Sequence, residues 1–154
     1  MEEQRLPDFR EDFSLLIEAG FIAVKQLDEI SATRIFHAAQ VISPNNTAPQ
    51  VGLGYIALNK LEVKQATKIF EKVIKQEPEN ELAKTFLGIC FLLNPQRRKK
   101  GEQLIKETME KTSDPTIKNL GKVSLEWAEK DLSKKDKIQS PFFAAKQTGE
   151  EGNA

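Results

Sequence analysis

The stretch TAPQVGLGYIALNKLEVKQATKIFEKVIKQEPEN, residues 47–80, decides the fold. Its first part, Ala48 to Leu58, is apolar at Val51, Leu53, Tyr55, Ile56 and Leu58. Asn59-Lys60-Leu61-Glu62 interrupts that run. Ala66, Ile69, Phe70, Val73 and Ile74 then follow the i, i+3, i+4, i+7, i+8 spacing of an amphipathic helix. Glu77-Pro78-Glu79-Asn80 ends it, because proline disfavours helix in the residue before it and has no backbone N–H to donate. The stretch reads as helix, turn, helix, stop.

The pattern recurs on both sides. Gly20, Gly54 and Gly88 stand 34 residues apart, and so do the pairs Ala32/Ala66, Phe36/Phe70 and Pro44/Pro78. Three blocks result: 13–46, 47–80 and 81–114. In the first, Ser31 is expected to cap the second helix and Ser43-Pro44-Asn45-Asn46 to end it. Small residues facing each other, Gly54 and Ala66 in the middle block, would let two helices approach closely. Phe70, and Phe36 one block earlier, would fill the space between one hairpin and the next. In the third block Gly101 takes the small position only if one residue is inserted, and the aromatic position becomes Leu104 or Ile105. Ser113-Asp114-Pro115 then starts a further helix, with proline in its first turn. Ile117, Leu120, Val123 and Trp127 form its expected apolar stripe, and residues 115–133 read as a capping helix. Residues 1–12 read as an N-terminal segment, loose over 1–10, and residues 134–154 as a disordered tail.

Composition excludes several classes. The 154 residues carry 23 Lys+Arg and 23 Asp+Glu, so the net charge is zero. The chain has no cationic excess for nucleic acid. No apolar run reaches the roughly 18 residues of a membrane span. The acidic, polar start Met1-Glu-Glu-Gln-Arg is unlike a secretory signal. A lone cysteine, Cys90, excludes an internal disulfide and fits a reducing compartment. One histidine and one cysteine cannot build a Cys/His zinc site. Phosphate-binding glycine loops, nucleophile elbows and HExxH are absent from the sequence. His37 and Cys90 read as structural, and Arg97-Arg98-Lys99-Lys100 as a solvated turn. Nothing points to catalysis or to a cofactor.

The block pattern resembles the tetratricopeptide repeat. Leu53-Gly54, Ala66, Phe70 and Pro78 match that family's helix A pair, small residue, aromatic and closing proline. The first block has Ala19-Gly20, Ala32, Phe36, Ala39 and Pro44, and the third keeps Leu87-Gly88 and Phe91. The resemblance covers about two thirds of the chain. It implies an all-α solenoid of about three helix-turn-helix repeats with a C-terminal capping helix. It also implies that helix A of each block lines a concave surface, at Ser14, Ile17, Phe21, Val24 and Lys25, then Ala48, Val51, Tyr55, Leu58 and Asn59, then Leu82, Thr85, Ile89, Leu92 and Leu93. An open apolar face of that extent would exceed what monomers usually tolerate. Ile17, Phe21, Val24, Val51, Tyr55, Leu58, Leu82, Ile89 and Leu92 are the expected partner contacts. Roughly 20 Å of helix per repeat suits a bound helix or extended peptide.

The chain also resembles the tetratricopeptide-type chaperones of bacterial type III secretion. The segment Asp114-Pro115-Thr116-Ile117 through Leu125-Glu126-Trp127 is similar to the Asp-Pro-x-Ile start of the last helix in needle-subunit chaperones. That likeness implies a cytoplasmic protein that holds an aggregation-prone needle subunit helix in its groove, with a small co-chaperone as a further partner. The sister class holds hydrophobic translocators and carries a longer N-terminal helix, whereas 12 residues precede the first repeat here. Ile17 and Phe21 replace the polar residues with which adaptor repeats grip a terminal carboxylate. The competing readings are a scaffold in a permanent assembly and a homodimer that buries the groove against itself.

Overall fold

A computed structural model describes residues 2–132, with side chains described from residue 11 onward. The tail expected at 134–154 lies outside the described residues. Seven α-helices are present, and no strand occurs among the described residues: α1 (Glu2–Lys25), α2 (Glu29–Ile42), α3 (Ala48–Asn59), α4 (Val63–Gln76), α5 (Glu81–Leu92), α6 (Arg98–Lys111) and α7 (Pro115–Trp127). One π-helical turn, Ala128–Leu132, continues α7. No described helix is long and apolar enough to cross a membrane. The segment expected to be loose is instead part of α1, which is helical from Glu2 over 24 residues.

The chain divides into two compact units, Met1–Ile56 and Ala57–Ala154. In the N-terminal unit α1 and α2 pack side by side. The core joins Ala23, Val24, Ala32, Phe36 and Ile56. Ala32, Phe36 and Ala39 are completely buried. A Cβ on Gly20 would lie 2.5 Å from the Phe36 ring, and one on Gly52 would lie 2.3 Å from it. The ring therefore occupies the space that two absent side chains leave free, one on α1 and one on α3.

In the C-terminal unit α5 packs against α4, α6 and α7. Ala66, Phe70 and Val73 point from α4 into the core, fully buried. The Phe70 ring stacks on Phe86 of α5, centroids 5.3 Å apart. On α6 the corresponding residue is Ile105, also fully buried. It lies 2.5 Å from where a Gly88 Cβ would stand and 3.1 Å from where a Gly121 Cβ would stand. That resolves the choice between Leu104 and Ile105. The helices α2, α4 and α6 begin at Glu29, Val63 and Arg98, so the second step is one residue longer than the first. The inserted residue puts Gly101 in the small position. A Cβ there would stand 2.6 Å from the Gly88 carbonyl oxygen and 2.8 Å from the Leu92 nitrogen.

Caps delimit the helices. Asp28, not Ser31, caps α2: its carboxylate accepts the Ser31 N–H at 3.0 Å. Ser31 sits three residues into the motif, where its N–H is one of the orphan donors that a cap must satisfy. The Ser31 side chain and backbone N–H hold the Asp28 carboxyl below its ordinary range. Asn46 accepts the Ala48 N–H at 2.9 Å, Asn80 the Ala83 N–H at 2.9 Å, and Asp114 the Thr116 N–H at 2.8 Å. These three residues are 34 apart and close the three blocks.

On α7 the buried face is Ile117, Gly121, Ser124 and Trp127. Val123, expected in that stripe, is 44% exposed. Six residues beyond Ile117 the helix has turned well off that face, since each residue advances about 100°.

Candidate partner-binding face

The nine side chains expected to meet a partner divide by burial. In the N-terminal unit Ile17, Phe21 and Tyr55 are half-buried, whereas Val24 and Val51 are buried. In the C-terminal unit Leu82 is half-buried, and Leu58, Ile89 and Leu92 are buried, the last two completely. Val24, Val51, Leu58, Ile89 and Leu92 therefore belong to the core of their units. The reason lies in α3 and α5. Both helices are apolar around their whole circumference, and such a helix is enclosed rather than laid on a surface. From Thr85 to Leu92 every residue of α5 is buried.

What remains accessible in the N-terminal unit is a compact aromatic face. Phe21 meets Phe36 edge to face, centroids 5.2 Å apart at 72°. On its other side it meets Tyr55 at 6.0 Å and 39°. Ile17 packs on the same core one turn earlier on α1. The buried Phe36 thus anchors a row in which each ring orients the next. Edge-to-face pairs of this kind are worth about 0.5–1.5 kcal/mol beyond area burial. The face is apolar and pre-organised, so a ligand would find the side chains already ordered.

The remaining repeat residues behave as structural elements. Gly20, Gly54 and Gly88 are buried, whereas Pro44 and Pro78 are exposed just beyond the C-caps Ser43 and Glu77. Sequence reasoning missed Gly52 and Gly121, which receive the Phe36 ring and the Ile105–Met109 side chains. In the 34-residue frame Gly52 stands where the later blocks have Phe86 and Leu120, and Gly121 where the earlier ones have Leu53 and Leu87, so neither glycine recurs and no repeat signal marks it.

The basic run is tied into the fold as well. Arg98 donates from Nε to the Leu92 carbonyl at 3.3 Å and from Nη1 to the Leu132 carbonyl at 3.2 Å. The Arg97 guanidinium and the Lys100 ammonium lie 5.2 Å and 5.6 Å from the Phe91 ring centre. The solvated-turn reading holds for Lys99, which is exposed. Thr112 donates to a Glu81 carboxylate oxygen and accepts the Asp114 N–H at 3.1 Å, which joins the start of α5 to the cap of α7. His37 is exposed, with Nδ1 3.2 Å from the Gln40 side-chain oxygen. Cys90 is a buried free thiol, which burial pushes up to about 12.

No protein-family model matches the chain, and no curated protein is similar to it in sequence.

Proposed function

We propose that the chain is a tetratricopeptide-type solenoid that acts as a type III secretion chaperone, holding an aggregation-prone helical export substrate by an apolar face. The repeat reading is supported by the caps at Asn46, Asn80 and Asp114 and by the fully buried Ala32–Phe36 and Ala66–Phe70 pairs. One observation carries the functional reading: Ile17, Phe21 and Tyr55 stand half-buried on a core they do not need in full. A filament subunit hides its apolar stripe only when it polymerises. A protein that covers the stripe keeps the subunit monomeric by mass action. The work is done in a reducing, cytoplasmic compartment, needs no cofactor and involves no catalysis, nucleic acid or membrane insertion.

The needle subunit is the first choice of client, on the Asp114-Pro115-Thr116-Ile117 segment, with a small co-chaperone as a second partner. The length of α1 favours the other client. At 24 residues α1 is twice as long as α3 or α5, as expected of the class with the longer N-terminal helix. A hydrophobic translocator is therefore the second reading.

A chaperone of this type is expected to sit beside a gene for a short helical protein, and the test is co-expression with such a neighbour, followed by light scattering. A defined heterocomplex supports the chaperone. Phe21→Glu or Tyr55→Ala is expected to weaken it by about tenfold or more, the scale of a lost aromatic anchor, with helicity unchanged. A stable homodimer indifferent to the neighbour would replace this reading with the self-buried one. A complex that persists unchanged in both variants would move the contact away from this face.

A further inference from the structure

The N-terminal unit carries a second face that the aromatic row does not use. Leu15 is 57% exposed and Ile22 53% exposed, both on α1. Glu11 and Glu18 are exposed and interleave with them. The order Glu11, Leu15, Glu18, Ile22 steps by four, three and four, which is the spacing that keeps one line along a helix facing a partner helix. Gly20, the residue through which α1 receives the Phe36 ring, lies on the opposite side of the helix. Phe21 and Ile17 lie between the two sides. A single exposed leucine is ordinary. Two large aliphatic side chains one heptad apart, each more than half exposed, with Glu11 and Glu18 on their N-terminal sides and Lys25 beyond Ile22, form a pattern.

Charge selects the occupant. Residues 1–56 hold four Lys/Arg against eight Asp/Glu, so this unit is net −4 although the chain is neutral. A second copy laid parallel to this one would set Glu11 and Glu18 against their own kind, and an antiparallel copy would set these carboxylates against Ile22 and Leu15. We propose that the outer stripe of α1 docks a basic amphipathic helix of another protein. Its apolar residues would sit between Leu15 and Ile22 and its lysines or arginines against Glu11 and Glu18, in coiled-coil fashion. The proposal does not rest on the client reading, because it uses neither Ile17, Phe21 nor Tyr55.

The probe is a synthetic amphipathic peptide of about 21 residues, long enough to be helical when bound. It carries leucine at one core heptad position, to meet Leu15 and Ile22, and lysine at the other, to meet Glu11 and Glu18, and a twin carries glutamate for every lysine. Binding to the full chain is read by calorimetry. The lysine peptide is expected to bind and the glutamate twin not to bind. The Leu15→Asp/Ile22→Asp double variant is expected to weaken binding by about tenfold or more. Leu15→Ser/Ile22→Ser, which adds no charge, is expected to weaken it in the same direction and serves if the aspartates disturb folding. Val41→Asp, at an exposed position of α2, is expected to leave it within about twofold. Equal binding of both peptides, or unchanged binding in the serine variant, would overturn the proposal. So would a chain dimer that the same variant converts to monomer, since the occupant would then be a second copy.

Discussion

Two leucines hold a backbone conformation that the leucine side chain opposes. Leu27 has φ 63° and Leu61 has φ 60°. Each follows a helix of the first kind, α1 or α3, and the two are 34 residues apart. The hydrogen bonds explain the geometry. Leu27 N–H donates to the Val24 carbonyl at 3.0 Å and Asp28 N–H to the Ala23 carbonyl at 2.9 Å. Leu61 N–H donates to Leu58 at 2.9 Å and Glu62 N–H to Ala57 at 2.9 Å. This is the Schellman closure, whose left-handed position normally takes glycine because a Cβ there meets the following carbonyl. Leu27 is 42% exposed and Leu61 38% exposed, so packing recovers only part of that strain. Leu61→Gly is expected to stabilise the protein by about 1 kcal/mol, raising the melting midpoint by about 3 °C. Leu61→Ala keeps the Cβ and is expected to give no such gain. Calorimetry of the two variants separates backbone strain from side-chain loss. None of this was legible beforehand, since a leucine in a turn carries no signal for a positive φ.

At the scale of the element, the third hairpin shows how much a small residue decides. Gly101 and Gly88 let α5 and α6 approach until backbone atoms of one helix occupy the space a side chain of the other would need. Alanine serves at the matching position on α2 and α4, where Ala32 and Ala66 are fully buried. On α6 it would have to displace backbone atoms rather than a pliable side chain. Gly101→Ala is therefore expected to destabilise the protein by about 1–3 kcal/mol, despite the better helix propensity of alanine. Denaturant unfolding measures it, and a neutral or stabilising result would mean that the two helices have slack. The insertion that brings Gly101 to this place was visible as a conditional reading of the sequence. Choosing Ile105 over Leu104 required the packing, because both are aliphatic and adjacent, and only the helix phase separates them.

At the scale of the whole molecule, the C-terminal unit keeps its only thiol out of reach. Cys90 is fully buried on α5, and burial is the largest cause of its raised value of about 12; a hydrogen bond with Thr67 lowers it by a lesser amount. Thiol reagents are expected to label Cys90 only as fast as this unit opens. The pH dependence follows. Above the ordinary thiol range the unfolded chain has released this proton and the folded chain has not, so rising pH favours unfolding. The thiol's contribution is expected to fall by about 1.4 kcal/mol per pH unit between about 9 and 12, and Cys90→Ala is expected to remove that slope. Comparing alkaline unfolding of the two proteins checks it, and equal slopes would place the thiol in contact with water. The neutral net charge is also a whole-chain sum. Residues 57–154 hold 19 Lys/Arg against 15 Asp/Glu, net +4, opposite to the N-terminal unit.

The sequence by itself determined the helical class, the ends of α2 and α4 before Pro44 and Pro78, the start of α7 at Asp114-Pro115, and the buried Ala32–Phe36 and Ala66–Phe70 pairs. These rest on local rules: proline and asparagine end helices through their own backbone and side-chain chemistry, and an amphipathic helix states its buried face in its period. Only the tertiary structure decided which apolar side chains keep an accessible side. In α3 and α5 the apolar residues run all round the helix, so no period distinguishes a side chain that packs from one that is spare. Val24, Val51, Leu58, Ile89 and Leu92 proved to be core, whereas Ile17, Phe21, Tyr55 and Leu82 kept an accessible side. A hydrophobic pattern records which residues leave water, but what they leave it for depends on neighbours distant in the chain.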